Sequence, residues 1–225
     1  MRYSILTPTL IRPTLKRLCD SIDIQTCDDY EHIVIIDCVV TPEKQAILDG
    51  IVPNPRRKFI TCSEKHPKDF GNKARREGFD IAQGEYILQI DDDDYYADAG
   101  VFETLKCVNK TWAVFPVLAR GIRCHPPRPA LGQTGSAMFT YRRDTGLKFT
   151  DNGDYSADGQ LVEQLKKLFP YQSLNDSREL VIYPQANEGR EQDEIDMWVR
   201  RHTPIKYAKD GLTIDWYDRH HQRKG

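Results

Sequence analysis

Apolar, β-branched runs alternate with stretches of helical periodicity through the first 90 residues, and this alternation limits the fold more than any other feature of the chain. Residues 3–6 form a short apolar run that Thr7-Pro8-Thr9 is expected to break. Pro13 opens a helix carrying Leu15, Leu18, Cys19 and Ile22 at helical spacing. HIVII at 32–36 reads as a buried strand ending at Asp37. Thr41-Pro42 caps a second helix that Gly50 closes. A strand over 58–62, a helix over 72–82 stopped by Gly84, and a strand over 86–90 complete the series. Such an order predicts an α/β fold, a Rossmann-like, mostly parallel sheet flanked by helices in a single domain.

Sheets of this kind bind ligands outside the carboxyl ends of their strands. Thr7, Asp37 and the run Asp91, Asp92, Asp93, Asp94 all fall at those ends, so three polar clusters converge on one edge. Four adjacent carboxylates repel one another and need solvent, raised pKa values or a cation. Alternation at a strand end turns Asp91 and Asp93 one way and Asp92 the other. Oxygen ligands of this kind suit Mg²⁺ or Mn²⁺, with a phosphate completing the shell. An EF-hand-like calcium loop would need a turning glycine that this run lacks.

The second half is less regular. A helix is expected over 101–108, a strand over 112–118, a loop over 121–135, a strand over 136–141, a helix capped by Ser156, a strand over 180–183, and a charged helix over 188–201. Lys and Arg total 32 against 34 Asp and Glu, a balance that argues against a nucleic-acid binder. No apolar stretch approaches the ~20 residues of a membrane span, and MRYSILTPTLIRP lacks a secretory h-region. The six cysteines form no CxxC pair, so reduced thiols and a cytoplasmic location are expected, without structural zinc.

SILTPTLIRPTLKRLCDSI, EHIVIIDC and above all GNKARREGFDIAQGEYILQIDDDDYY resemble family 2 glycosyltransferases of the GT-A fold. The matched features are Gly71, Lys73, Ala74-Arg75, Gly78, the run AQGEYI from 82 to 87, and an Asp-x-Asp motif at Asp91–Asp93. GQTGSAMF at 132–139 resembles the acceptor-side loop and strand. The likeness is strong over 3–98, patchy to about 170, and slight beyond.

The resemblance implies a metal-dependent, inverting transfer of a sugar from a nucleoside-diphosphate donor, UDP favoured, to a glycan or lipid-linked hydroxyl. Thr7, Asp37, Arg75, Asp91 and Asp92 form the expected donor-binding set, with Asp93 and Asp91 as ligands of Mn²⁺ or Mg²⁺. In GDYSADGQLVEQL, Asp158 is the expected general base, with Asp154 and Asp151 as rivals. His66, His125 and His202 are the histidines considered as further ligands, and Trp198 reads as core rather than sugar platform. Residues 1–98 would form the nucleotide-sugar-binding half, 99–201 the acceptor-binding half, and 202–225 a tail. No nucleic acid and no transmembrane segment are expected, though a peripheral membrane contact is compatible with a lipid-linked acceptor.

Three departures stand out: Cys38-Val39-Val40 replaces an acidic turn after Asp37, Arg76 replaces an Asn, and no Gln-x-x-Arg-Trp motif appears. The last argues against a processive synthase. A nucleotidyltransferase would want a glycine-rich loop where Thr7-Pro8-Thr9-Leu10 stands. A nucleotide-sugar-binding protein without a base is the non-enzymatic alternative.

Overall fold

A computed structural model describes residues 1–63, 69–119, 122–124, 129–131, 134–150, 156–174, 177–184, 208–209 and 212–213. The opening alternation forms β1 (Tyr3–Thr9), α1 (Leu15–Asp23), β2 (Tyr30–Ile36), α2 (Pro42–Asp49), β3 (Arg57–Thr61), α3 (Asn72–Ile81) and β4 (Tyr86–Gln89). There follow β5 (Tyr95–Tyr96), α4 (Val101–Leu105), β6 (Trp112–Val114), β7 (Val117–Ala119), β8 (Ile122–Cys124) and β9 (Phe139–Arg142). The chain continues through α5 (Ala157–Leu168), β10 (Tyr171–Ser173), β11 (Val181–Tyr183) and a ribbon of β12 (Ala208–Lys209) and β13 (Leu212–Thr213).

The large sheet has seven strands in the order β10-β6-β9-β4-β1-β2-β3, and β9 runs antiparallel to both its neighbours. β5, β11, β7 and β8 form a second, four-stranded sheet. Period-two alternation divides β1 between two cores. Leu6 joins Ile33, Ile35, Ile87, Trp112 and Tyr141 on the face covered by α3 and α5. Tyr3 and Ile5 face the other way, among Leu18 and Ile22 of α1 and Phe102 of α4. Phe102 anchors that side, its ring 5.1–5.7 Å from those of Tyr3, Tyr30 and Tyr96. Burying each such side chain contributes about 1.5–3 kcal/mol.

Two glycines permit the close approaches in this layering. A Cβ on Gly78 would meet Ile35 Cδ1 at 2.8 Å, so α3 lies directly on the sheet. A Cβ on Gly84 would lie 2.4 Å from the Ser4 backbone nitrogen, where the chain entering β4 crosses β1.

The structure corrects several sequence expectations. β1 continues through Thr7-Pro8-Thr9 instead of breaking there. β4 stops pairing with β1 at Leu6, whereas β2 stays paired to Thr9, so Pro8 needs no N–H on its open side. The expected strand over 112–118 is two strands in different sheets, separated at Phe115-Pro116. β8 lies inside the expected loop over 121–135. A 3₁₀ turn at Ser136–Met138 precedes β9, and α4 ends at Leu105. β5 and β10 are too short to leave a periodic signal. All six cysteines are free thiols, and no described helix is long and apolar enough to cross a membrane. The expected helix over 188–201 and Trp198 lie outside the described residues.

Candidate active site

β1 and β4 stop pairing beyond Leu6 at the carboxyl edge, where the strand order turns in two directions. Asp91, Asp92, Asp93 and Asp94 form the turn leaving β4, closed by the Asp94 N–H donating to the Asp91 carbonyl at 3.1 Å. One carboxylate oxygen each from Asp91, Asp93 and Asp94 lies within 4.8 Å of the others. Asp93 and Asp94 are buried and Asp91 is half-buried. Three converging carboxylates form a hard oxygen donor set, the kind that suits Mg²⁺ or Mn²⁺.

Asp92 turns the other way. It accepts from Thr9 Oγ1 at 2.6 Å and from Arg12 Nη1 at 3.0 Å. It is only 3 % exposed, and burial pushes its carboxyl up to about 6, against the pull of Arg12 and with a further push from Asp93. In the described conformation its carboxylate is a strut between the acidic turn and the loop after β1.

Arginines supply much of the opposing charge. Arg12 Nη1 also reaches Asp93 Oδ2 at 2.9 Å. Arg17 Nη2 donates to the Asp93 carbonyl at 3.1 Å, with its guanidinium 4.4 Å from the Tyr95 ring centroid. Arg75, buried in the first turn of α3, donates to Asp91 and to the Phe70 carbonyl, and its guanidinium lies over the Phe149 ring. Asp69 sets the entry to α3 by accepting from Gly71 and Lys73 N–H, each at 2.9 Å. The chain there passes through two left-handed residues, Phe70 at φ 58° and Gly71 at φ 76°.

Asp158 occupies the first turn of α5, half-buried, and accepts from the Gly159 N–H at 2.7 Å. Burial pushes its carboxyl up to about 7; Arg75 pulls it down and Asp91 pushes it further up. The charges that act on Asp158 are thus those of the acidic edge. Asp37 also sits at this edge, 4 % exposed, its N–H donating to the Thr9 carbonyl at 2.9 Å.

Thr7 is placed differently. It is fully buried on the α1 side of the sheet, and its hydroxyl meets His32 Nε2 at 3.0 Å. Arg57 Nε can only donate, and it faces His32 Nδ1 at 3.1 Å. The His32 proton therefore resides on Nε2 and is donated to Thr7. The β1 hydroxyl that touches the aspartates is Thr9, two residues further along the same face.

Thr9, Arg12 and Arg17 were not expected at the site from the sequence, and Asp94 was expected in the acidic run but not among the metal ligands. Arg12 and Arg17 carried a signal in hindsight, because an acidic turn needs nearby cations and both follow β1 directly. Tyr183 was also missed. The β5–β11 register lays it beside Asp94, and burial with the charges of Asp94, Asp91 and Asp158 holds its phenol protonated. His66, His125, His202, Asp151 and Asp154 lie outside the described residues.

The model of glycosyl transferase family 2 matches residues 4–167. The chain belongs to glycosyltransferase family 2. Its structure is similar to that of residues 1–349 of S. aureus TarS, with a TM-score of 0.64 at 15 % identity over 90 % of this chain and 72 % of that one. The same TarS region with UDP-GlcNAc gives 0.66 at 16 % identity, over 87 % and 61 %. The mannosyltransferase PcManGT from Pyrobaculum calidifontis, with GDP-Man and Mn²⁺, gives 0.62 at 13 %, over 83 % and 58 %. At these identities the likeness is one of fold, and the fold is GT-A. No curated protein matches the sequence. The enzyme is thus a GT-A glycosyltransferase whose candidate site is the acidic edge.

Proposed function

We propose that this glycosyltransferase moves a sugar from a nucleoside-diphosphate donor to a hydroxyl acceptor, with a divalent cation and inversion at the anomeric carbon. The observation that carries the reading is the juxtaposition of the Asp91–Asp93–Asp94 group with an Asp158 whose carboxyl is raised to about 7. Neighbours of the same fold bind UDP-GlcNAc and GDP-Man, one of them with Mn²⁺, which supports a nucleotide-sugar donor.

Asp91, Asp93 and Asp94 would hold Mn²⁺ or Mg²⁺, which when bound offsets charge on the departing diphosphate. Arg75 orients Asp91 and lies close enough to Asp158 to act on its charge. Asp37 offers its carboxylate to the nucleoside. Asp158 takes the proton of the acceptor hydroxyl; the oxygen forms the new glycosidic bond as the bond to the nucleoside diphosphate breaks. Near pH 7 a useful fraction of Asp158 is ionised while the group remains basic enough to receive that proton. The acceptor class we favour is a glycan, free or lipid-linked.

Calorimetric titration with UDP, GDP, dTDP and CDP, each with Mn²⁺ and with EDTA, tests the donor site. Metal-dependent binding of one diphosphate supports the proposal and names the nucleotide. No binding under either condition would defeat it. The anomeric configuration of the product, read by NMR, decides inversion.

A further inference from the structure

Arg12 reaches two of the aspartates with a single nitrogen. Its Nη1 lies 3.0 Å from Asp92 Oδ1 and 2.9 Å from Asp93 Oδ2. Its Nε and Nη2 hydrogen-bond nothing among the described residues, and the side chain is 35 % exposed against 4 % and 7 % for its partners. A guanidinium offers five donors in a rigid fork suited to phosphate, and most of this fork is uncommitted.

The loop is built to put it there. Thr9 Oγ1 accepts from the Ile11 N–H at 2.7 Å while donating to Asp92 at 2.6 Å. Ile11 is buried at φ 59°, a conformation that β-branched residues avoid, so the surrounding contacts impose the turn that aims Arg12. Thr9 also means that Asp92 keeps a hydrogen bond if Arg12 departs.

Asp93 belongs to the carboxylate group that would hold the cation, yet Arg12 already lies on it. Two cations at one carboxylate repel, so a guanidinium at Asp93 weakens the grip on a metal. We propose that Arg12 is an exchangeable counter-ion, which neutralises Asp92 and Asp93 in the resting enzyme and leaves Asp93 for the donor diphosphate as the divalent cation enters. This rests on the metal-dependent reading above. It makes metal and diphosphate mutually dependent: the metal favours the state that frees Arg12, and the diphosphate supplies its new partner.

The test compares wild type, Arg12→Gln and Arg12→Lys by calorimetry, first with Mn²⁺ alone and then with UDP and GDP in the presence of Mn²⁺ or EDTA. Arg12→Gln should bind Mn²⁺ alone about tenfold more tightly than wild type, and the diphosphate with Mn²⁺ about tenfold less tightly. Arg12→Lys keeps one cationic nitrogen but loses the fork. It should match wild type with Mn²⁺ alone and still bind the diphosphate less tightly. A purely structural prop predicts the opposite for the metal, because loosening the turn can only lower Mn²⁺ affinity. Unchanged or weaker Mn²⁺ binding in Arg12→Gln overturns the inference and leaves the metal-dependent reading standing if wild-type diphosphate binding needs Mn²⁺. Wild-type diphosphate binding indifferent to EDTA overturns both. Should Arg12→Gln not fold, Arg12→Gln/Asp92→Asn against Asp92→Asn makes the same comparison without the orphaned buried charge.

Discussion

Replacing Asp158 by Asn keeps the shape of the side chain and removes its basicity. Transfer should fall about 10²–10⁴-fold while diphosphate affinity stays near wild type, as steady-state rates and calorimetry would show. Full activity in Asp158→Asn would remove the general-base assignment. Because burial raises this carboxyl to about 7, wild-type kcat/KM should climb as pH rises through that value, following the ionised fraction. Asp93→Ala should abolish metal-dependent diphosphate binding, and equal binding by the variant with Mn²⁺ would exclude Asp93 as a ligand. The aspartates were readable as a candidate site because they directly follow an apolar strand. Their opposing charges were not, since Arg12 and Arg75 reach them from 80 and 16 residues away.

Elements whose signals are local were legible and those defined by partners were not. Thr41-Pro42 and Gly50 bound α2 as read, with Thr41 accepting from the Lys44 N–H at 3.4 Å. The run from 112 to 119 carries strand-forming residues throughout, and nothing local says that Val114 pairs with Phe139 while Val117 pairs with Val181. Likewise Thr7 and Thr9 read alike at a strand end and share a face of β1, and only their positions along it separate the one bonded to His32 from the one bonded to Asp92. The two close-packed glycines make a contrasting pair. Gly84→Ala should destabilise by about 2–3 kcal/mol or more, because its Cβ meets backbone that cannot yield. Gly78→Ala meets the movable tip of Ile35 and should cost less. Thermal melts would rank them, and the reverse order would show that the β1–β4 crossing is looser than described.

For the whole molecule, two titratable groups set opposing pH slopes. His32 is held neutral, its pKa well below 6.5 through burial and then Arg57. Below about pH 6.5 the unfolded chain binds a proton that the folded one refuses, so stability falls as pH falls, by up to about 1.4 kcal/mol per pH unit. His32→Gln should flatten that slope in denaturant titrations between pH 7 and 5, and an unchanged slope would place the proton uptake elsewhere. Asp158 acts in the other direction. Between 3.8 and about 7 the folded state retains a proton that the unfolded state has released, so wild type should lose stability relative to Asp158→Asn as pH rises across that window.

The acidic turn also joins the molecule's two sheets. β4 belongs to the large sheet and β5 to the small one, and only residues 90–94 separate them. A second stitch, Phe115-Pro116, ties β6 to β7 in the same way. The small sheet is thus joined to the large one by two short links, and one of them is the run that carries the carboxylates. The place of the acidic turn is therefore set from two directions at once, by the pairing of β4 with β1 behind it and by that of β5 with β11 ahead of it.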